Sequence, residues 1–260
     1  MRQRIITAII LLVVVLPPIY YGGLIYKILI GLVAFLASME LIDMAKINRK
    51  SIPSILTYFG TLSIVFFDDI NNIISEYLNA GMIQMLFIML LLICTVFVTN
   101  YDFTKAGISI LSMFYIGLGG YSAVTIRIEN LSLFIYILLI VLSTDIGAYF
   151  IGSSIGSRKL APSISPNKTI EGFLGGITIS FLLSAIYLNF YTFNYSYIIM
   201  LIIAIALSIT GQFGDLLASS YKRHFAVKDS GDLLPGHGGI LDRVDSTLFT
   251  MSIALILGVI

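Results

Sequence analysis

Along this chain, long apolar runs alternate with short polar breaks, and the runs are too extended for the interior of a soluble domain. Stretches such as 85–98, 131–142 and 198–209 contain no charged residue. With their flanks they reach the ~20 residues needed to cross a hydrocarbon core of ~30 Å. Backbone groups in lipid must be satisfied internally, and the runs are too long and continuous for barrel strands, so each predicts a helix. The pattern yields about nine spans, at 4–21, 24–44, 53–68, 81–99, 105–125, 130–152, 169–190, 196–219 and 245–260. The expected fold is all-α, a polytopic transmembrane helical protein. One membrane domain accounts for residues 1–260, with 1–128 mainly scaffold and 129–260 carrying a polar cavity. No internal repeat or low-complexity segment interrupts it.

Composition agrees with that reading. Hydrophobic residues make up 58% of the chain and charged ones 11%, with a mean hydropathy of +1.00. That excludes an ordinary soluble domain. Cys94 is the single cysteine, so there is neither a disulfide framework nor a thiolate metal site. A net charge of +1 carries no information about partners, and nothing in the chain points to nucleic acid. Several tyrosines, among them Tyr20, Tyr21, Tyr101, Tyr191, Tyr195 and Tyr197, stand near span ends, where amphipathic rings favour the headgroup zone. The first span follows Arg2 and Arg4 in the manner of a signal peptide. Its Pro17-Pro18 end lacks a small-residue cleavage pattern and further spans follow, so it reads as a retained helix.

The basic residues set an orientation. Arg2 and Arg4, then Lys46, Arg49 and Lys50, then Arg158, Lys159 and Lys168, then Lys222, Arg223, Lys228 and Arg243 all fall on one side of a nine-span chain. The opposite side receives Asp68, Asp69, Glu76 and the uncharged 190–196 loop, with Arg127 as its one firmly placed cation. Positive loops belong to the cytoplasm.

Against this background the polar run from Ser219 to Asp245 is conspicuous. Gln212, Asp215, Ser219 and Lys222 follow at helical spacing and form one stripe on the eighth span. A carboxylate at membrane depth costs about 2.5–3.5 kcal/mol on insertion scales, so Asp215 needs a partner. That partner is either a basic residue such as Lys222, which makes a buried ion pair, or a metal ion at the mouth of a cavity. Asp242 and Asp245 are spaced to share one face of the ninth helix. Alone, such a pair is a common solvated helix start. Here Gly236, Gly238 and Gly239 let the backbone approach a ligand closely, consecutive N–H groups in such a turn can cradle an anion, and Arg243 lies between the acids as a phosphate clamp. Mg²⁺ takes few carboxylates and completes its shell with water and substrate phosphates. Asp215, Asp242 and Asp245 could supply that set. His237 reads as a loop or phosphate-positioning residue rather than a direct ligand.

A second constellation begins on the sixth span, where Asp145, Tyr149 and Gly152 share a face. Asp145 is either paired with a neighbouring helix or functional. The loop beyond it holds Pro162 and Pro166, hydroxyls at Ser163, Ser165 and Thr169, and Asn167. Lys168 and Glu171 then open the seventh helix, whose N-terminus is a natural phosphate site. The alternative is a basic loop that only anchors topology. Glu40 and Asp43, near the end of the second span, either line the same cavity or are ordinary interface residues.

These residues, taken together, resemble a known family. Lys222-Arg223, Lys228-Asp229, Pro235-Gly236-His237-Gly238-Gly239-Ile240 and Asp242-Arg243-Val244-Asp245 look like the C-terminal signature of phosphatidate cytidylyltransferases. The Ser165–Gly172 run and the Asp145 segment match in the same order, so the resemblance covers 143–246. Tyr221 departs from it, standing where the family usually has an aliphatic residue or Phe. The resemblance implies synthesis of CDP-diacylglycerol and pyrophosphate from CTP and phosphatidic acid, with Mg²⁺ required. It also implies a second cation, such as monovalent K⁺, and a homodimer in a bacterial inner membrane with its site facing the cytoplasm. Asp215, Asp242 and Asp245 would then hold metal, while Lys168, Lys222, Arg223 and Arg243 would grip phosphates. Asp145, Asn167 and Glu171 would orient those groups or the nucleotide, with Ser219, Lys228, Asp229, His237, Gly238 and Gly239 completing the substrate site.

Two other readings compete. An ion-coupled transporter would also carry intramembrane aspartates, but such proteins often use broken helices and paired inverted repeats near the midplane, whereas this chain shows no internal symmetry and its polar residues crowd toward one face. A transferase joining a CDP-activated lipid to an alcohol would need a D-G-x-x-A-R type helix, which the chain lacks.

Overall fold

The computed structural model describes residues 2–74, 79–236 and 238–259, with side chains at Thr7 and from Ile9 onward. Glu76 and His237 lie outside the described residues. The chain folds into helices α1 (Arg2–Tyr21), α2 (Gly23–Met44), α3 (Ile52–Val65), α4 (Phe67–Ile74), α5 (Ala80–Phe97), α6 (Phe103–Glu129) and α7 (Leu131–Ile155). A short antiparallel hairpin follows, β1 (Lys159–Ala161) with β2 (Ser165–Thr169), and then α8 (Ile170–Tyr187), α9 (Tyr197–His224) and α10 (Leu241–Ile256). Among the described residues, six helices are long and apolar enough to cross a membrane: α2, α5, α6, α7, α8 and α9. Ile9–Tyr21 and α3 are shorter apolar helices. The helices match the apolar runs of the sequence closely, and the chain is an integral membrane protein.

The hairpin is the element that sequence periodicity does not announce. Ser165-Pro166-Asn167-Lys168-Thr169 lacks the alternation of a strand and contains a proline. It pairs because a tight turn brings it back on β1, with Lys159 opposite Thr169 and Ala161 opposite Ser165. The N–H of Ile170 donating to the carbonyl of Arg158 (2.9 Å) carries the pairing into the start of α8.

The chain divides into two compact units. The first comprises residues 1–124 with 229–243, that is α1 to α5, most of α6 and the glycine-rich segment before α10. Here α3 is flanked by small residues on its neighbours: a Cβ at Gly117 of α6 would stand 2.8 Å from Ile64. The amphipathic α4 is tied down by polar contacts, Lys27 to Asp69 at 2.5 Å and the Tyr121 hydroxyl to Asp68 at 3.3 Å.

The second unit comprises 125–228 with 244–260. Its helices α7 and α8 run antiparallel with their backbones nearly touching, which requires glycine. A Cβ at Gly176 would lie 2.8 Å from the Thr144 carbonyl oxygen. Small residues at such seams are how helices associate where lipid offers no hydrophobic drive. Helix α9 runs parallel to α7: Tyr136 donates to the Met200 carbonyl at 2.9 Å, and Thr144 donates to Ser208 Oγ at 2.7 Å. The Gln212 amide donates to the Phe173 carbonyl of α8 at 3.2 Å. Three helices are thereby held in fixed register.

The α7–α8 seam is directly testable. Gly176→Ala must push backbone against backbone and should cost about 1–3 kcal/mol, the range for overpacking. Gly107→Ala, whose added methyl meets nothing within 4 Å, should be neutral or slightly stabilising, because Ala favours helix over Gly. Thermal unfolding of the detergent-solubilised protein reads both.

Candidate active site

In the second unit, α7, β2, α8 and α9 enclose a cavity of about 510 Å³. Each wall follows from local sequence. Helix α7 presents Asp145, Tyr149 and Gly152 along one face, the stripe its spacing predicts. The hairpin delivers Asn167 and Lys168 as its second strand ends. Thr169 then caps α8, its Oγ1 accepting from the N–H of Gly172 at 3.1 Å, which leaves the positive end of that helix facing the cavity. Gln212 and Asp215 complete the wall from α9.

The central contact is an ion pair. Lys168 Nζ lies 2.6 Å from Asp215 Oδ2, with the two side chains 27% and 36% exposed. The sequence shows that Asp215 needs a counter-charge and offers Lys222 as the nearest basic residue on its own stripe; the partner is Lys168, brought in by the hairpin. Partial exposure keeps this pair weak and exchangeable. Among the described residues, Asp215 Oδ1 meets the Ser219 hydroxyl at 3.5 Å, a marginal contact. One oxygen of Asp215 is therefore loosely engaged beside a cation in a solvent-accessible cavity.

Other expected site residues brace this wall. Arg223 donates from Nε to the Ile164 carbonyl (3.3 Å) in the hairpin turn and from Nη1 to the Val227 carbonyl (3.2 Å), joining the end of α9 to the hairpin. Glu171 turns toward the residues that follow α7: its carboxylate accepts from Ser157 N–H and Oγ, both at 3.0 Å, and from Arg158 N–H at 3.2 Å. Glu171 thus fixes the entry to the hairpin. Lys222 is one turn beyond Ser219, half-buried, and Lys228 is exposed. Asp245 is buried early in α10, its Oδ1 2.7 Å from the Ser246 N–H.

The first unit holds the rest of the signature. Gly236 and Gly238 adopt φ of +76° and +79°, a left-handed backbone that their lack of Cβ permits. Asp242, in the first turn of α10, accepts from the N–H of Ser230 (2.8 Å), the Ser230 hydroxyl (3.0 Å) and the N–H of Gly239 (3.1 Å). Its carboxylate is held by the loop as well as by its helix. Asp229 and Arg243 are exposed. Glu40 is the residue that sequence reasoning left undecided: it is buried on α2 and bonded to this same loop. No sequence signal could have found it, because two of its three donors are main-chain N–H groups.

As donors to a metal, Asp215, Asp242 and Asp245 are all hard anionic oxygens, the type Mg²⁺ prefers. Among the described residues, no three acidic, histidine or cysteine side chains of either unit form a ready-made cage.

The fold and this cavity define a polytopic helical membrane protein with a cavity at its helix ends that carries carboxylates and a lysine. A family model described as the cytidylyltransferase family matches residues 2–260, and the chain belongs to that family. It is similar to the phosphatidate cytidylyltransferase of Staphylococcus saprophyticus, with 43% identity over 258 residues, 99% of this chain and 98% of the relative. The proteins of the same name from Staphylococcus haemolyticus and Staphylococcus aureus are each 41% identical over 258 residues, again 99% of this chain and 98% of the relative.

Two bracing contacts can be separated from the cavity's chemistry. Thr169→Val removes the α8 cap and should cost about 0.5–2 kcal/mol in thermal unfolding. Glu171→Ala should accelerate amide exchange at Ser157 and Arg158, which lose their acceptor, without changing exchange along α9.

Proposed function

We propose that this protein transfers the cytidylyl group of CTP to phosphatidic acid, giving CDP-diacylglycerol and pyrophosphate. The observation that carries the reading is the Lys168–Asp215 pair, opposite charges 2.6 Å apart at the capped start of α8 in a cavity of sufficient size for a headgroup. Family membership over nearly the whole chain supports it.

A phosphate monoester is already anionic at neutral pH, so its oxygen can attack the α-phosphorus of CTP without a strong base. The new P–O bond forms as the bond from the α-phosphorus to the bridging oxygen breaks, and pyrophosphate leaves with that electron pair. The task is to bring anions together and to neutralise the leaving group, which is positioning and electrostatics. Lys168 releases Asp215 to take a phosphate, and the N-terminal N–H groups of α8 share that charge. Asn167 and Asp145 orient polar groups of the substrate. Lys222, Arg223 and Arg243 supply further positive charge to the phosphates. Asp215, Asp242 and Asp245 are the carboxylates we assign to Mg²⁺, which when bound neutralises charge gathering on the leaving pyrophosphate. A second, monovalent cation is part of the same proposal.

The membrane arrangement we favour has nine crossings, the six long apolar helices with α1, α3 and α10, and puts the basic segments in the cytoplasm. Positive-inside asymmetry supports it, as does the bacterial origin of the relatives. Resemblance to the family supports a homodimer. The ion-coupled transporter has no support from the family or from these relatives.

The test is to incubate purified protein with labelled CTP, phosphatidic acid and Mg²⁺ and follow label into lipid. Asp215→Ala and Asp242→Ala should each lower the rate by about 10²-fold or more while helicity is retained. Chelation should stop the reaction and added Mg²⁺ restore it. Lys46→Ala, in a basic segment without the signature, should change little. Full turnover by both aspartate variants would overturn the metal assignment, and no labelled lipid from the parent protein would overturn the reaction.

A further inference from the structure

Glu40 is a buried carboxylate to which the chemistry above gives no role. It is 2% exposed near the end of α2. Its Oε1 accepts from the N–H of Ile240 at 2.8 Å, and its Oε2 accepts from the N–H of Leu241 at 2.9 Å and from the Ser230 hydroxyl at 2.8 Å. All three donors belong to the segment that leads into α10, so a side chain from early in the sequence shapes a loop far along it. The loop is built around that carboxylate. A Cβ at Gly239 would lie 2.4 Å from Glu40 Oε2 and 2.0 Å from Ser230 Oγ, and one at Gly231 would lie 2.9 Å from Glu40 Oε1. At Gly239 no larger residue fits with the carboxylate and the serine in place, and at Gly231 one would have to shift the Glu40 side chain.

Ser230 links this arrangement to Asp242. The serine is 5% exposed, and its Oγ stands 2.8 Å from Glu40 Oε2 and 3.0 Å from Asp242 Oδ2. A hydroxyl has one proton and donates to one of the two carboxylates at a time. Each carboxylate also has two main-chain donors, Ile240 and Leu241 for Glu40, Ser230 and Gly239 for Asp242. The four N–H groups therefore do most of the holding, and the hydroxyl is shared.

We infer that Glu40 is a positioning residue: its carboxylate organises the glycine-rich loop and the first turn of α10 so that Asp242 and Arg243 are presented in one fixed orientation. What Asp242 and Arg243 then do rests on the proposed cytidylyl transfer, whereas the organisation of the loop does not. An anion is needed at this place. Both oxygens accept from main-chain N–H groups, so an amide would turn an NH₂ toward one of them and leave a buried donor unpaired.

The experiment compares full-length Glu40→Gln, Ser230→Ala and Asp43→Asn by hydrogen exchange and by CTP kinetics. Asp43 is the control, because it lies on the same helix and pairs with Arg49. Glu40→Gln should speed exchange at Ile240 and Leu241 by at least about tenfold, the equivalent of one hydrogen bond to a charged group, with the rest of α2 unchanged. Its kcat should fall by about 10–100-fold, the scale of a small misplacement, with a lesser change in KM for CTP. Ser230→Ala should give a milder, loop-confined rise, and its effect should be less than additive with Glu40→Gln. Asp43→Asn should match the parent.

Parent-like exchange at 240 and 241 in Glu40→Gln overturns the inference, and so does faster exchange with unchanged kcat. If Glu40→Gln does not fold, Ser230→Ala decides: a rise confined to 229–241 supports the role, and no rise overturns it. A parent protein that makes no CDP-lipid, beside a Glu40→Gln loop that exchanges fast, would defeat the reaction and leave the loop organisation standing.

Discussion

A charge in a mostly apolar protein is costly without a partner, and that constraint shapes the acidic residues at the helix ends. Only 11% of the chain is charged, and an isolated buried ion is costly enough that it neutralises or finds company. The described acidic residues near the helix ends have found it in two ways. Asp215 has a cation, Lys168. Glu40, Asp242 and Glu171 have main-chain N–H groups, supplemented by serine hydroxyls.

Helix packing makes the first solution possible. The glycine seam between α7 and α8 brings their backbones together, and the Thr144 and Tyr136 contacts fix α9 alongside in parallel. With three helices in register, the end of α7, the start of α8 and the polar turn of α9 fall at one level. The hairpin then swings Lys168 onto Asp215. A slip of one turn, ~5.4 Å, on any of the three helices would separate the pair. Stability of the seam and competence of the cavity are thus the same property.

Much of this was legible beforehand, for reasons that differ by residue. Helix positions follow from uninterrupted apolar runs, a signal that a membrane forces on any sequence that crosses it. The Asp145–Tyr149–Gly152 face and the Gln212–Asp215 stripe follow from helical period alone. That Asp215 needs a counter-charge was also readable, but its identity was not, because a pair formed through a hairpin has no periodicity to betray it. The hairpin itself was hidden by Pro166 and by the absence of alternation. Glu40 was invisible for a deeper reason: main-chain N–H groups are the same at every residue but proline, so a carboxylate they satisfy leaves no complementary side chain to find.

The two kinds of partner also differ in what they permit. A carboxylate held by N–H groups of a folded loop cannot exchange them without unfolding that loop, so its orientation is fixed. A carboxylate paired with a flexible lysine side chain, 36% exposed against 27%, can exchange that lysine for another cation at little cost. The lysine it releases becomes available to an anion in the same event. Asp215 is the carboxylate of the second kind in the cavity, and among the described residues its Oδ1 meets only a hydroxyl 3.5 Å away. In the proposed transfer, arriving negative charge would take the lysine and arriving positive charge would take the aspartate. Glu171 and the glycine seam hold the hairpin and the helices around that pair in place.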